Sequence, residues 1–219
     1  MNKSKITKLA TYVCEHSHNF ANHPNCFFKD DDQIGRKEKI GILDLETFTL
    51  NFRADLGVVL SYTIKELDGE MKSNWVTSKE LHQSGKRDLR LLKDLIKDMK
   101  QFDRLVGHNL ERFDCRLSRA RAVHYGLDYP IYKEIFSTDT LLIMWKKFNL
   151  KSASLKNACQ FFNIPAKDTP FEIELWLDAV QGNKKAMEEV VRHCEEDVVA
   201  TETLFKKIST FVPISRKSI

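Results

Sequence analysis

The chain has 219 residues, 42% hydrophobic and 10% aromatic, enough for one domain with a real core plus a small appendage. With 8 Gly and 5 Pro, long disorder and glycine-rich arrays are excluded, and a net charge of +4 permits a nucleic-acid partner without demanding one. No stretch of about 18 apolar residues offers a membrane span, and the opening "MNKSKITKLATYVCEHSH" has no apolar core for a secretory signal. The five cysteines are an odd number, and Cys115, Cys159 and Cys194 fall in helical patterns. That usage predicts a reduced, intracellular protein, cytoplasmic or nucleoid-associated, with thiols buried or metal-bound.

Residues 1–37 are irregular and rich in His, Cys and charge. "CEHSHNFANHPNC" has the spacing C-x-H-x-H-x4-H-x2-C. Cys14, His23 and Cys26 with either His16 or His18 make a candidate tetrahedral Zn²⁺ set, a closed structural knuckle. A His-rich arm without metal accounts for the same composition. "KDDDQIGRKEK" (29–39) offers nothing to bury and reads as a solvated connector. The domain proper is predicted over 38–210, with a basic tail at 211–219.

"KIGILDLETF" (39–48), "LGVVLSYTIKEL" (56–67) and "EMKSNWVT" (70–77) read as three strands of an antiparallel meander, the last turned by Asp68-Gly69. "RDLRLLKDLIKDMKQF" (87–102) carries Leu91, Leu92, Leu95, Ile96 and Met99 at helical spacing. A short buried strand, "RLVGHN" (104–109), precedes a helix over 111–126 with Gly126 at its C-terminal end. "EIFSTDT" (134–140) is a strand leading into helix 141–148, and Ser154 caps a helix over 155–163. Helices over 172–182 and 183–208 close the order βββαβαβ, then α-rich. This is an α/β layered domain: a mixed sheet, meander first and βα units after, flanked by helices.

Alternation in the first strand puts Ile40, Ile42, Asp44, Glu46 and Phe48 on one face and Gly41, Leu43, Leu45 and Thr47 on the other. Both faces are apolar, so two acids project from a strand covered on both sides. Buried like charges at that spacing need a cation between them, and Mg²⁺ prefers carboxylate oxygens. A strand ending at Leu43, with the acids in solvent, is the bland reading. In the last helix, Ala186, Val190, His193, Asp197, Ala200 and Leu204 form a stripe apolar except at His193 and Asp197. Glu195 and Glu196 should point into solvent. Asp114 sits near a helix start, where the helix dipole alone favours an acid.

Taken in order, these are D-x-E on a first strand, G-H-N-x3-F-D after a later one, and H-x3-D on a C-terminal helix. The set resembles the DEDD superfamily of 3′–5′ exonucleases, with a ribonuclease-H-like fold, over roughly residues 38–208. "HCEEDVVATETLF" and "STDTLLIMWKKF" are similar to segments of exonucleases related to the proofreading domains of family B DNA polymerases. One departure stands out. In the histidine class of the superfamily, four residues usually separate the histidine from the last Asp, and in the tyrosine class three separate the tyrosine. His193 stands at the tyrosine spacing.

The resemblance implies phosphodiester hydrolysis with two Mg²⁺ or Mn²⁺ ions. Asp44 would bridge both ions, Glu46 and Asp197 would complete the water-activating one, and Asp114 would serve the other. His193 is then a base or an orienting group. Thr47 and Asn109 could contact the terminal nucleotide, and Phe48 or Phe113 could stack on a base; a turn role for Asn109 and core roles for both Phe residues are equally open. Arg121 and Tyr125 share the helical face of Asp114, and Lys206, Lys207, Arg216 and Lys217 could track a phosphate backbone, although a solvated surface or a frayed tail is the default. The expected partner is nucleic acid, DNA before RNA. An endonuclease on the same fold and a non-catalytic, zinc-containing nucleic-acid-binding module are the alternatives.

Overall fold

The computed structural model describes residues 13, 38–49, 53–165, 172–211 and 217–219. The candidate zinc ligands Cys14, His16, His18, His23 and Cys26, and also Arg216, lie outside the described residues. Five strands form one sheet: β1 (Ile40–Thr49), β2 (Gly57–Glu66), β3 (Met71–Trp75), β4 (Arg104–Gly107) and β5 (Phe136–Asp139). Their spatial order is β3-β2-β1-β4-β5. The β1–β2 and β2–β3 pairs are antiparallel, and β1–β4 and β4–β5 are parallel. The meander and the βα units therefore meet at β1, the middle strand.

The helices are α1 (Ser78–Leu81), α2 (Leu89–Met99), α3 (Asp114–His124), α4 (Thr140–Lys147), α5 (Leu155–Phe161), α6 (Ile173–Val180) and α7 (Lys184–Ile208). Sequence reasoning missed α1, a single turn held by a capping box between Thr77 and Glu80. The predicted caps at Ser154 and Gly126 are present: Ser154 Oγ accepts from Asn157 N–H, and Gly126 has φ 66° just past α3.

Strand β1 is covered on both sides. Leu43 and Leu45 join the main core with Leu91, Leu92, Leu95 and Met99 of α2. Each of those four α2 side chains is fully buried, a stabilisation of about 1.5–3 kcal/mol apiece. On the other face, Ile42 packs with Val106 and with Val198 of α7. That long helix starts at Asn183, whose side chain accepts from the N–H groups of Lys185 and Ala186. No helix of the described residues is long and apolar enough to cross a membrane.

Several charged residues depart from their expected solvent roles. Glu38, in the predicted connector, is buried and pairs with Arg104 at 2.9 and 3.1 Å, because the parallel β1–β4 pairing brings Arg104 beneath it. Arg121 does not face a substrate channel. It donates to Asp88 Oδ1 (2.6 Å) and to the carbonyls of Ala54 and Gly57 (both 2.9 Å), clamping α3 to the start of β2. At the C-terminus, Ser137 N–H donates to Lys217 O and Ile219 is buried, so the last three residues dock beside β5 rather than fray.

Candidate active site

The middle of β1 carries the predicted acids, and α7 lies across their face. His193 Nδ1 donates to Glu46 Oε1 at 2.9 Å and stands 3.9 Å from Asp197 Oδ2. The donor atoms of Glu46, His193 and Asp197 all lie within 4.8 Å of one another, a spacing that fits one metal ion. Asp114, the first residue of α3, is buried, and its carboxylate accepts from the backbone N–H of Leu45, between the two β1 acids. The four acids named from sequence thus come from three elements to one place.

Their electrostatics are unfavourable as they stand. Burial, then the charges of Glu46, Asp114 and Asp197, push the Asp44 carboxyl well above the usual range. Burial also raises Asp114, with Asp139 and Glu46 adding to it. Asp197 is pushed up to about 6, first by burial and then by Glu46 and Glu196, against the opposing pull of His193. Among the described residues no Lys or Arg forms an ion pair with any of the four. Among the described residues His193 is the basic group in contact with them, and its own pKa is raised, mainly by the hydrogen bond to Glu46. The edge of the Trp176 ring meets its imidazole, with centroids 5.5 Å apart.

A polar row behind Asp44 was not foreseen. Asp44, Thr63 and Ser73 are register partners across β1, β2 and β3. Thr63 Oγ1 and Ser73 Oγ are 3.0 Å apart, and Ser73 donates to Glu195 Oε1 at 2.6 Å. Cys194 Sγ lies 3.4 Å from both Asp44 O and Asp44 Oδ2. Glu195 is therefore half-buried and bonded rather than solvated, and Glu196 is held by Arg192. The one available signal was the i, i+4 spacing of Val190, Cys194 and Val198, which puts Cys194 on the buried face.

The loop from β4 to α3 is shaped by its backbone. A Cβ on Gly107 would meet Leu43 O and Leu110 Cβ, each at 2.9 Å, so only glycine fits the approach to β1. Asn109 adopts φ 71°, a turn conformation that Asn tolerates. Its N–H and that of Glu111 donate to the two oxygens of Asp139, the N-cap of α4. Asp139 is a buried acid that the sequence reading passed over, although an Asp before an apolar helical run is a cap signature. Phe113 and Phe48 are half-buried against the main core, and Thr47 follows the β1–β2 irregularity at Glu46/Thr47. Lys206 pairs with Asp68 and Glu202, and Lys217 with Glu111, so neither lies open for phosphate.

Comparisons with known proteins agree with this layout. No curated protein matches the chain. Among solved structures it is similar to the family B DNA polymerase from the hyperthermophilic archaeon Pyrobaculum calidifontis, with a TM-score of 0.64 and 18% identity. The match covers 82% of this chain and 26% of that one, so the chain spans about a quarter of the polymerase's length and the likeness is one of fold. A family model of the RNase H superfamily matches residues 42–209, a span that begins in β1, ends just past α7 and contains all four acids. With its mixed five-stranded sheet and carboxylates gathered at the middle strand, the chain belongs to the RNase H superfamily.

Proposed function

We propose that this chain is a 3′–5′ exonuclease that removes nucleotides from single-stranded nucleic acid, DNA in preference to RNA, with two Mg²⁺ or Mn²⁺ ions. The observation that carries this is the convergence of Asp44, Glu46, Asp114 and Asp197 with no partnering Lys or Arg among the described residues. A site whose acids raise one another's pKa fits a divalent cation, and four carboxylates, with His193 the one nitrogen beside them, suit Mg²⁺ or Mn²⁺. Asp44, Glu46, Asp114 and Asp197 would hold the ions. When bound, such ions polarise the scissile phosphate and make water nucleophilic at neutral pH.

The chain's own residues supply the rest. A carboxylate can only accept, so the bond to Glu46 puts a proton on His193 Nδ1 and leaves Nε2 of the neutral ring as acceptor. From that atom His193 takes the proton of the attacking water. Trp176 holds the ring plane, and Cys194 fixes Asp44 from behind. Thr47, Phe48, Asn109 and Phe113 would receive the terminal nucleotide. The exonuclease polarity is supported by the paired acids on β1 and the H-x3-D helix, and the DNA preference by the polymerase likeness.

The test is a 5′-labelled oligonucleotide incubated with Mg²⁺, with and without EDTA. Stepwise shortening that EDTA stops is expected, and Asp44→Ala should abolish it while the circular dichroism spectrum is retained. Internal cuts in a circular substrate would instead make the protein an endonuclease. Tight binding without any cleavage would make it a binding module.

A further inference from the structure

We propose that a basic hollow beside the β4–α3 loop binds the DNA strand upstream of the nucleotide being removed. This deepens the exonuclease reading and takes its substrate from it, but it stands on different residues. The hollow has a volume of about 470 Å³ and is lined by residues 145–153, "WKKFNLKSA". Those nine residues include three lysines and no acid. Lys146, Lys147 and Lys151 are exposed and form no ion pair among the described residues. Most of the other lysines with a defined contact behave differently: Lys39, Lys65, Lys72, Lys100, Lys206 and Lys217 are each paired with a carboxylate.

Trp145 supplies the second half of the recognition. Its side chain is 64% exposed, which leaves the ring within reach of an unpaired base. The Arg112 guanidinium lies over the ring, 5.9 Å from its centroid. An exposed aromatic set among unpaired cations is the chemistry that holds single strands: bases stack on the ring and phosphates sit against the lysines. A folded protein partner would need a wider apolar face than one ring, and a duplex offers no unstacked base to it.

The hollow is also joined to the reaction site by rigid links. Arg112 precedes Asp114 by two residues, and Arg116, also exposed, follows one turn later. Asp139 caps α4 and accepts from the same loop, while Thr140 Oγ1 bonds both His108 Nδ1 and Gly107 O. A strand held on Trp145 is thus held at a fixed offset from the carboxylates, which makes longer strands better substrates than short ones.

The probe is oligodeoxythymidine, compared with a thymidine dinucleotide too short to reach the hollow. The variants are Trp145→Ala, Trp145→Phe and the triple change of Lys146, Lys147 and Lys151 to Gln. Binding of the long strand is read by fluorescence anisotropy in EDTA, and cleavage of both substrates in Mg²⁺. Trp145→Ala should weaken long-strand binding about tenfold and Trp145→Phe should restore most of it. The triple variant should flatten the dependence of log K on log salt by about 2, at about 0.7 for each phosphate no longer neutralised. In both defective variants the preference for long over dinucleotide substrate should fall, through KM rather than kcat. Wild-type cleavage with an unchanged preference and salt slope in the variants would overturn this proposal alone. Long-strand binding that follows the variants as described, in a protein that cleaves nothing, would overturn the exonuclease reading and leave the strand site standing.

Discussion

Replacing Asp197 by Asn separates a metal site from an ordinary surface acid. The carboxyl rises from its usual 3.8 to about 6 because burial and the charges of Glu46 and Glu196 outweigh His193. At about 1.4 kcal/mol per pH unit, that rise costs the folded protein about 3 kcal/mol once the group is ionised in both states. The side chain is 39% exposed, so solvent screening brings the figure to about 1.5 kcal/mol. The sign follows from linkage: a raised acid costs nothing below pH 3.8, costs progressively more up to about 6, and costs its full amount above that. In EDTA at neutral pH, Asp197→Asn should therefore raise the melting temperature by about 3–6 °C. With Mg²⁺ present the order should reverse, because the wild type gains the binding energy of the ions and the variant loses a ligand. Differential scanning fluorimetry in the two buffers measures both. A variant that is less stable than the wild type in EDTA would show that the protein itself neutralises Asp197, and the case for a cation there would fail.

The other expectations concern its neighbours. His193→Gln should lower hydrolysis by about 10²–10⁴-fold if Nε2 takes the proton; a loss below tenfold would leave the residue an orienting role. Because Glu46 raises the His193 pKa, the charged pair stabilises the metal-free protein fully below the ordinary 6.5 and loses that effect as pH rises through the folded value. The stability cost of His193→Gln in EDTA should accordingly shrink towards alkaline pH, and a constant cost would refute the pairing. Cys194→Ala should raise the Mg²⁺ concentration for half-maximal rate about tenfold, and Cys194→Ser, which keeps a donor to Asp44, should restore it. Arg121→Ala leaves the fully buried Asp88 without its cation and should cost about 3–5 kcal/mol in urea unfolding; a cost under about 1 kcal/mol would mean that water reaches Asp88.

How much of this was legible follows from what periodicity can report. It reports faces. Two acids at i and i+2 on a strand covered on both sides, and two polar residues on an otherwise apolar helix stripe, had to meet a common partner once the elements packed. The antiparallel meander and the βα units were legible in the pattern, and the caps at Ser154 and Gly126 in local chemistry alone. Periodicity does not report which partner a charged side chain takes. Glu38 looked solvated until parallel pairing laid Arg104 beside it, and Arg121 looked available until α3 met Asp88. The row from Asp44 through Thr63 to Ser73 joins residues on three strands, and its closing bond from Cys194 spans 150 positions in sequence.

The histidine spacing shows the same division between face and partner. At about 100° of helix rotation per residue, positions 192 and 193 point in clearly different directions. Arg192 turns outward and bonds Glu189 and Glu196 on its own helix. His193 and Cys194, the next two residues, meet Glu46 and Asp44 on β1. A histidine with four residues before Asp197 would stand at 192, on the solvent side of α7 as it lies here. The three-residue gap is what lets an imidazole on this helix reach Glu46 while Asp197, one turn on, faces the same carboxylates. The spacing that looked like a departure in the sequence is thus the one that this crossing of α7 over β1 requires.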